Sequence, residues 1–69
     1  MDSADLENRF TYHPPKDNQA ARYEILRAAG RSLAEEINHS CPDSREKSLA
    51  ITHLEDAIMW ANAAIARNE

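Results

Sequence analysis

Apolar residues recur every three or four positions in two stretches of the chain, and this spacing predicts two amphipathic helices. The first helix is predicted over residues 17–38, with Asp17 or Asn18 as its N-cap. Its apolar stripe consists of Tyr23, Leu26, Gly30, Leu33 and Ile37.

The second helix is predicted over residues 43–67, where Asp43 and Glu46 have the spacing of a capping box with Asp43 as the N-cap. The two helices are similar in length and joined by a short connection, so we expect them to pack as an antiparallel hairpin. The second apolar stripe consists of Ile51, Leu54, Ile58, Ala61 and Ile65.

Residues 1–16, called the N-terminal arm here, lack this periodicity. The double proline at Pro14 and Pro15 predicts an extended exit from the arm, and residues 3–8 are long enough for one or two helical turns. One glycine and three prolines in the whole chain favour helix throughout. The sequence therefore predicts one all-α domain over residues 1–69.

The second helix carries apolar residues outside its main stripe, more than a single partner helix can cover. A chain of 69 residues can bury only a small core. Cys41 is the single cysteine, which excludes an internal disulfide, and three scattered histidines do not make a structural metal site. We therefore expect the chain to be stabilised as a homo-oligomer.

Small residues at positions 28–30 and 61–64 would let the helices approach closely. Gly30 within a helix costs about 1 kcal/mol relative to alanine, and close packing is one reason for it. The alternative is that this glycine is merely tolerated.

Twelve acidic and eight basic residues give a net charge of −4, which argues against binding to DNA or RNA polymers or to anionic membranes. The start of the chain is acidic and polar, unlike a signal peptide, and the longest mainly apolar run is too short to span a bilayer. These features predict a soluble, cytoplasmic protein.

The sequence contains no recognisable catalytic motif, so we expect neither enzyme activity nor a cofactor or metal. The arm does combine cations with aromatic rings, a mixture that suits phosphates and bases. Those residues are Arg9, Phe10, Tyr12, His13 and Lys16. The alternative, favoured by composition alone, is that Phe10 and Tyr12 pin the arm onto the hairpin.

Two further arginines are candidates for contacts with an anion. Arg27 shares a helix face with Arg31, although pairing with nearby glutamates is an alternative role for both. Arg67 closes the second helix, where a cation complements the helix dipole without any ligand.

Three segments together resemble the small phage anti-CBASS cyclic-oligonucleotide sponges, whose relatives include the helical hairpin of the Thoeris anti-defence proteins. They are residues 9–15 (RFTYHPP), 44–55 (SREKSLAITHLE) and 59–67 (MWANAAIAR). The resemblance implies a homohexamer in the host cytoplasm that binds cyclic nucleotide immune signals without cleaving them.

The resemblance also implies site residues. It places Tyr12 and Arg27 in a cyclic dinucleotide pocket between protomers, where some family members are expected to have lysine in place of the arginine. In some members of the family it implies a separate pocket for cyclic trinucleotides, for which Arg67 is our candidate phosphate contact. Arg9, His13 and Lys16 are expected to close or steer the dinucleotide pocket.

Two alternatives remain open from the sequence. In the first, the chain is still a sponge, but its ligand is a cyclic ADP-ribose-type Thoeris signal. In the second, the chain is a helical adaptor that docks its surplus apolar face on another protein and binds no nucleotide. A closed oligomer would bury that face, whereas a monomer or dimer would leave it free for a partner.

Overall fold

A computed structural model describes all residues from Met1 to Glu69 and contains three α-helices and no strand. They are α1 (Ser3–Phe10), α2 (Gln19–Ser40) and α3 (Arg45–Asn68). The all-α class is confirmed. Both long helices begin two residues later than the sequence predicts. The hydrogen bonds at each helix start explain the difference.

The N-terminal arm is more helical than expected. The short helix α1 is capped by the side chain of Asp2, which accepts a hydrogen bond from the Ala4 backbone N–H at 2.9 Å. It runs to Phe10, so Arg9 and Phe10 lie in its last turn and not in the extended stretch that the double proline predicts. The extended segment begins only at Thr11.

Neither predicted cap residue closes the start of α2 with its side chain. Asn18 occupies the N-cap position but makes no side-chain hydrogen bond there, and Asp17 has a positive φ of 51°. Instead, Gln19 folds back, so that its Oε1 accepts from the Lys16 backbone N–H at 3.2 Å. Its own N–H donates to the Lys16 carbonyl oxygen at 3.0 Å. Reciprocal bonding between Lys16 and Gln19 therefore shapes this turn.

The N-cap of α3 is Ser44, so the prediction of Asp43 is wrong by one residue. The Ser44 Oγ accepts from the Lys47 backbone N–H at 3.1 Å. Asp43 instead accepts from the Lys47 ammonium group at 2.8 Å, and the same ammonium donates to the Asn38 carbonyl oxygen at 2.9 Å. Lys47 thus ties the last turn of α2 to the first turn of α3.

Replacing Ser44 by alanine is expected to lower the free energy of unfolding by about 1 kcal/mol, because the Lys47 N–H loses its cap. Asp43→Ala is the matched control and should have a smaller effect, since the Asp43 carboxylate is fully exposed and the Lys47 ammonium keeps its hydrogen bond to the Asn38 carbonyl oxygen. Thermal unfolding followed by circular dichroism at fixed protein concentration measures both. A larger effect for Asp43→Ala would restore the aspartate as the cap.

Helices α2 and α3 pack antiparallel as a hairpin. Asn38 near the end of α2 meets Lys47 near the start of α3, and Arg22 near the start of α2 meets Glu69 at the end of α3. The connection between the helices contains Cys41 to Ser44, and the thiol of Cys41 is exposed.

Close packing at Gly30 marks the middle of the hairpin. Gly30 is buried, and a Cβ placed on it would lie 2.6 Å from Cγ1 and 2.9 Å from Cδ1 of Ile58. Such distances are far inside ordinary contact. The prediction that Gly30 permits a close approach is therefore confirmed, although Ile58 is the residue that fills its space and the alanines at 61–64 do not.

The α2 stripe is shifted slightly from the predicted one. Leu33 is 50% exposed, whereas Ala34 is half-buried against α3. The face of α2 that packs on α3 runs through Gly30, Ala34 and Ile37, at spacings of four and three residues. Leu33 lies at the edge of this face. Leu33 is therefore part of the exposed surface of a single chain.

A single chain has no closed core. No hydrophobic residue is buried, and the solvent-accessible area is 5480 Å². An ordinary monomer of this mass would expose about 4,400 Å². The radius of gyration is 15.2 Å, whereas a compact chain of this length would have about 11 Å. The hairpin is a flat slab of 45 × 30 × 13 Å with apolar side chains on its surface.

None of the three helices is both long enough and apolar enough to cross a lipid bilayer.

Candidate functional site

The link between α1 and α2 passes over the end of α3 and encloses an open cleft of about 700 Å³ there. One wall comes from the link and the start of α2, and the other comes from the last four residues of the chain. Its lining residues are His13, Pro14, Pro15, Lys16, Gln19, Ala66, Arg67, Asn68 and Glu69. Three of the six predicted site residues, His13, Lys16 and Arg67, therefore share one cavity.

Two polar contacts hold the arm in place. The side-chain amide of Asn8 in α1 donates to the main-chain carbonyl oxygen of Arg67 at 3.3 Å. The Nε2 of His13 lies 2.8 Å from the carbonyl oxygen of Asn8, which can only accept, so this ring nitrogen carries a hydrogen. Asn8 thus connects α1, the link and the end of α3.

Lys16 and Gln19 form the floor of the cleft. Gln19 is only 3% exposed, and its side chain is held by the Lys16 backbone N–H. The Lys16 ammonium donates to the main-chain oxygen of Glu69. The double proline before Lys16 limits the backbone freedom of this segment and presents the lysine towards α3.

An ion pair closes the same end of the hairpin. Arg22 donates through both terminal nitrogens to the two carboxylate oxygens of Glu69, with Nη1 and Oε2 at 3.0 Å. The hydrogen bond from Arg22 is the main cause that lowers the pKa of the Glu69 carboxyl, while desolvation opposes it. The same bond raises the pKa of Arg22. Both groups are therefore charged in this pair.

The aromatic residues of the arm are not used to pin it down. Phe10 is 85% exposed and Tyr12 is 79% exposed. The pinning interpretation of these rings is therefore wrong for a single chain, because Asn8 and His13 provide the anchoring. The phenol ring of Tyr12 is available to stack on a planar group.

Arg27 lies apart from Tyr12 within one chain. It is exposed and lines a different cavity, an apolar groove of about 480 Å³ between α2 and α3. Arg27 stands eight residues, or about 12 Å along the axis, from the start of α2. Its guanidinium makes no ion pair within the chain, whereas the neighbouring Arg31 pairs with Glu35 at 3.1 Å.

Arg9 is already engaged inside α1, where its guanidinium lies 3.7 Å from the Asp5 carboxylate one turn earlier. Both side chains are about half exposed, so this pair is weak and open to solvent. The predicted site residues thus fall into two groups. The cleft gathers His13, Lys16 and Arg67, while Tyr12, Arg27 and Arg9 point from separate places on one protomer.

Residues 2–66 match the family described as the Acb2/Tad1 hairpin domain. The chain belongs to this family. The match covers almost the whole sequence and supports a general role as a cyclic-nucleotide sponge. No significant match was found among curated proteins or among solved structures.

Within this family member, four polar residues of the cleft region were not predicted from the sequence as site residues. Asn8, Gln19, Arg22 and Glu69 hold the arm, the link and the two helices together. In the sequence they are recognisable only as polar residues. Two of their contacts join residues 47 and 59 positions apart, and such contacts leave no local pattern. No three His, Cys, Asp or Glu side chains cluster closely enough to hold a metal ion.

Proposed function

We propose that this chain is a non-enzymatic sponge that sequesters cyclic dinucleotides, and in a second pocket cyclic trinucleotides, and so blocks CBASS anti-phage signalling. The single observation that carries this proposal is the family match over residues 2–66. The geometry adds residues able to contact bases and phosphates.

The proposed dinucleotide pocket uses Tyr12 and Arg27. Tyr12 offers an exposed ring for stacking on a base, and Arg27 offers an unpaired guanidinium for a phosphodiester. Since the two residues line no common cavity in one protomer, Tyr12 of one protomer and Arg27 of another are proposed to meet at an interface. Arg9, whose pair with Asp5 is half exposed, supplies additional positive charge from the last turn of α1.

Symmetry makes this arrangement suitable for a cyclic ligand. A two-fold interface presents the same patch twice, and a cyclic dinucleotide carries two bases and two phosphates in a similar arrangement. The apolar surface left uncovered on the single chain supports assembly, and a homohexamer provides both two-fold and three-fold axes.

The proposed trinucleotide pocket is the cleft at the end of the hairpin. Arg67 lines it together with His13 and Lys16, two residues expected from the sequence to serve the dinucleotide pocket instead. Their position beside Arg67 supports a role in this second pocket. A cyclic trinucleotide on a three-fold axis would meet three copies of this cationic group.

Titration calorimetry with a panel of cyclic di- and trinucleotides tests the proposal. We expect binding without turnover, so mass spectrometry of ligand recovered from denatured protein should return intact cyclic nucleotide. Absence of binding at tens of micromolar across the panel would refute sequestration. Recovery of a linear product would show that the protein is a hydrolase.

Competition and light scattering separate the remaining candidates. The family description joins two groups of proteins, so a cyclic ADP-ribose-type ligand should be competed against the cyclic dinucleotides. Light scattering should give the mass of a closed hexamer. A monomer or dimer without nucleotide affinity would favour an adaptor that uses the exposed apolar surface.

A further inference from the structure

Glu69 places a negative charge inside an otherwise cationic cleft. Its carboxylate faces the Arg22 guanidinium fork, with 3.0 Å between Nη1 and Oε2, and its main-chain oxygen accepts from the Lys16 ammonium. One acidic residue therefore uses both its side chain and its main chain to occupy two cations. His13 and Arg67 line the same cleft.

The ion pair is positioned to open. The side chains of Arg22 and Glu69 are 35% and 45% exposed, so water and solutes reach both partners. A bidentate pair is stronger than a single-contact surface pair, but one that solvent reaches is screened by salt and open to competition from other anions. Hydrogen bonding between the partners raises the pKa of Arg22 and lowers that of Glu69, which agrees with two charged groups in contact.

Arg22 is not itself a lining residue of the cleft and reaches it through Glu69. A guanidinium fork that accommodates two carboxylate oxygens also accommodates two oxygens of a phosphate or phosphodiester. An anion that displaced the Glu69 side chain would gain the fork of Arg22 and the nearby ammonium of Lys16.

We propose that Glu69 is the resident anion of the cleft, and that a phosphate or phosphodiester anion exchanges with it on Arg22 and Lys16. Glu69 then sets the affinity of the cleft by competing with the ligand and by reducing its positive potential. The identity of the biological ligand as a cyclic nucleotide rests on the proposed function, whereas the exchange itself does not.

Inorganic pyrophosphate is the probe for the exchange, titrated calorimetrically into the full chain at low ionic strength. Glu69→Gln should tighten its binding by roughly 3- to 10-fold, because the Arg22 fork loses its carboxylate competitor, while Lys16 keeps its bond to the main-chain oxygen at position 69. The matched control is Glu35→Gln, which makes the same charge change and breaks a more exposed, single-contact pair with Arg31 outside the cleft. It should change the affinity by less than about 2-fold.

A double-mutant cycle identifies the exchanged cation. Arg22→Gln should weaken pyrophosphate binding, and Glu69→Gln should give no further tightening in that background. Glu69→Asp keeps the charge and should stay close to the original affinity. Circular dichroism checks that each variant is folded; if Arg22→Gln unfolds, Arg22→Lys, which keeps the charge but loses the two-nitrogen fork, takes its place in the cycle.

Equal changes for Glu69→Gln and Glu35→Gln would overturn the proposal, because the effect would then be one of net charge. Lack of pyrophosphate binding to both the original chain and Glu69→Gln would also overturn it. Cyclic dinucleotide titrations on the same variants distinguish the anion exchange at Glu69 from the proposed sequestration of cyclic nucleotides. Failure of those titrations alone would refute the proposed function and leave the anion exchange standing.

Discussion

Replacing Arg27 by alanine is expected to weaken cyclic dinucleotide binding by about 2–5 kcal/mol, or roughly 30-fold to several thousand-fold. Arg27 has no partner within its own chain, so its guanidinium is free to serve a phosphodiester at the proposed interface. Removing it would leave a phosphate desolvated and unpaired, and this is the main source of the large loss. Titration calorimetry measures the change in Kd.

Two variants make the result specific to Arg27. Arg27→Lys keeps the positive charge and should retain most of the affinity, since the resemblance implies lysine there in some family members. Arg45→Ala removes an exposed arginine at the start of α3 and should leave the affinity nearly unchanged. An unchanged affinity in Arg27→Ala, with the oligomer intact by light scattering, would remove this residue from the pocket.

Replacing Gly30 by alanine is expected to lower the free energy of unfolding by about 1–3 kcal/mol. Helix preference alone would raise it by about 1 kcal/mol, so the direction of the change tests the packing. The new Cβ would meet the Ile58 side chain at 2.6 Å, and Ile58 or the helix axes must shift to accommodate it. Thermal or urea unfolding at equal protomer concentration gives the value.

Ser32→Ala is the control for Gly30→Ala, because it improves helix preference at an exposed position of α2 without meeting α3. It should leave stability unchanged or slightly raised. Ile58→Ala should cost less stability in the Gly30→Ala background than in the original chain, with a coupling of about 0.5–3 kcal/mol. Additive effects, or a stabilised Gly30→Ala, would contradict the close approach of the two helices.

Periodicity alone was sufficient to place α2 and α3, because an amphipathic stripe follows directly from the geometry of the helix. It did not determine where each helix begins. Ser44 competes with Asp43 for the cap of α3, and the ammonium of Lys47 decides between them by pairing with Asp43. At the start of α2, Asn18 makes no side-chain cap, and Gln19 instead closes the preceding turn by accepting from the Lys16 backbone N–H.

The candidate site was only partly predictable. Its charged and aromatic residues are visible in the sequence, but their grouping depends on how the arm crosses the end of α3. Asn8 contacts the main chain of Arg67, which is 59 positions away, and no local pattern encodes that contact. For the same reason, the sequence predicts His13 and Lys16 as residues that close or steer the dinucleotide pocket, but it does not show that they line one cleft with Arg67.

The sequence by itself determined the helical class, the apolar stripe of α3, the α2 stripe apart from Leu33, and the resemblance to a family, since each depends on local spacing or on residues read in order. The tertiary structure alone decided that Ile58 fills the space at Gly30, that the arm is held by Asn8, and that Glu69 occupies the cations of the cleft. These features join residues far apart in the chain. They arise only when the helices pack and distant polar groups compete for the same partners.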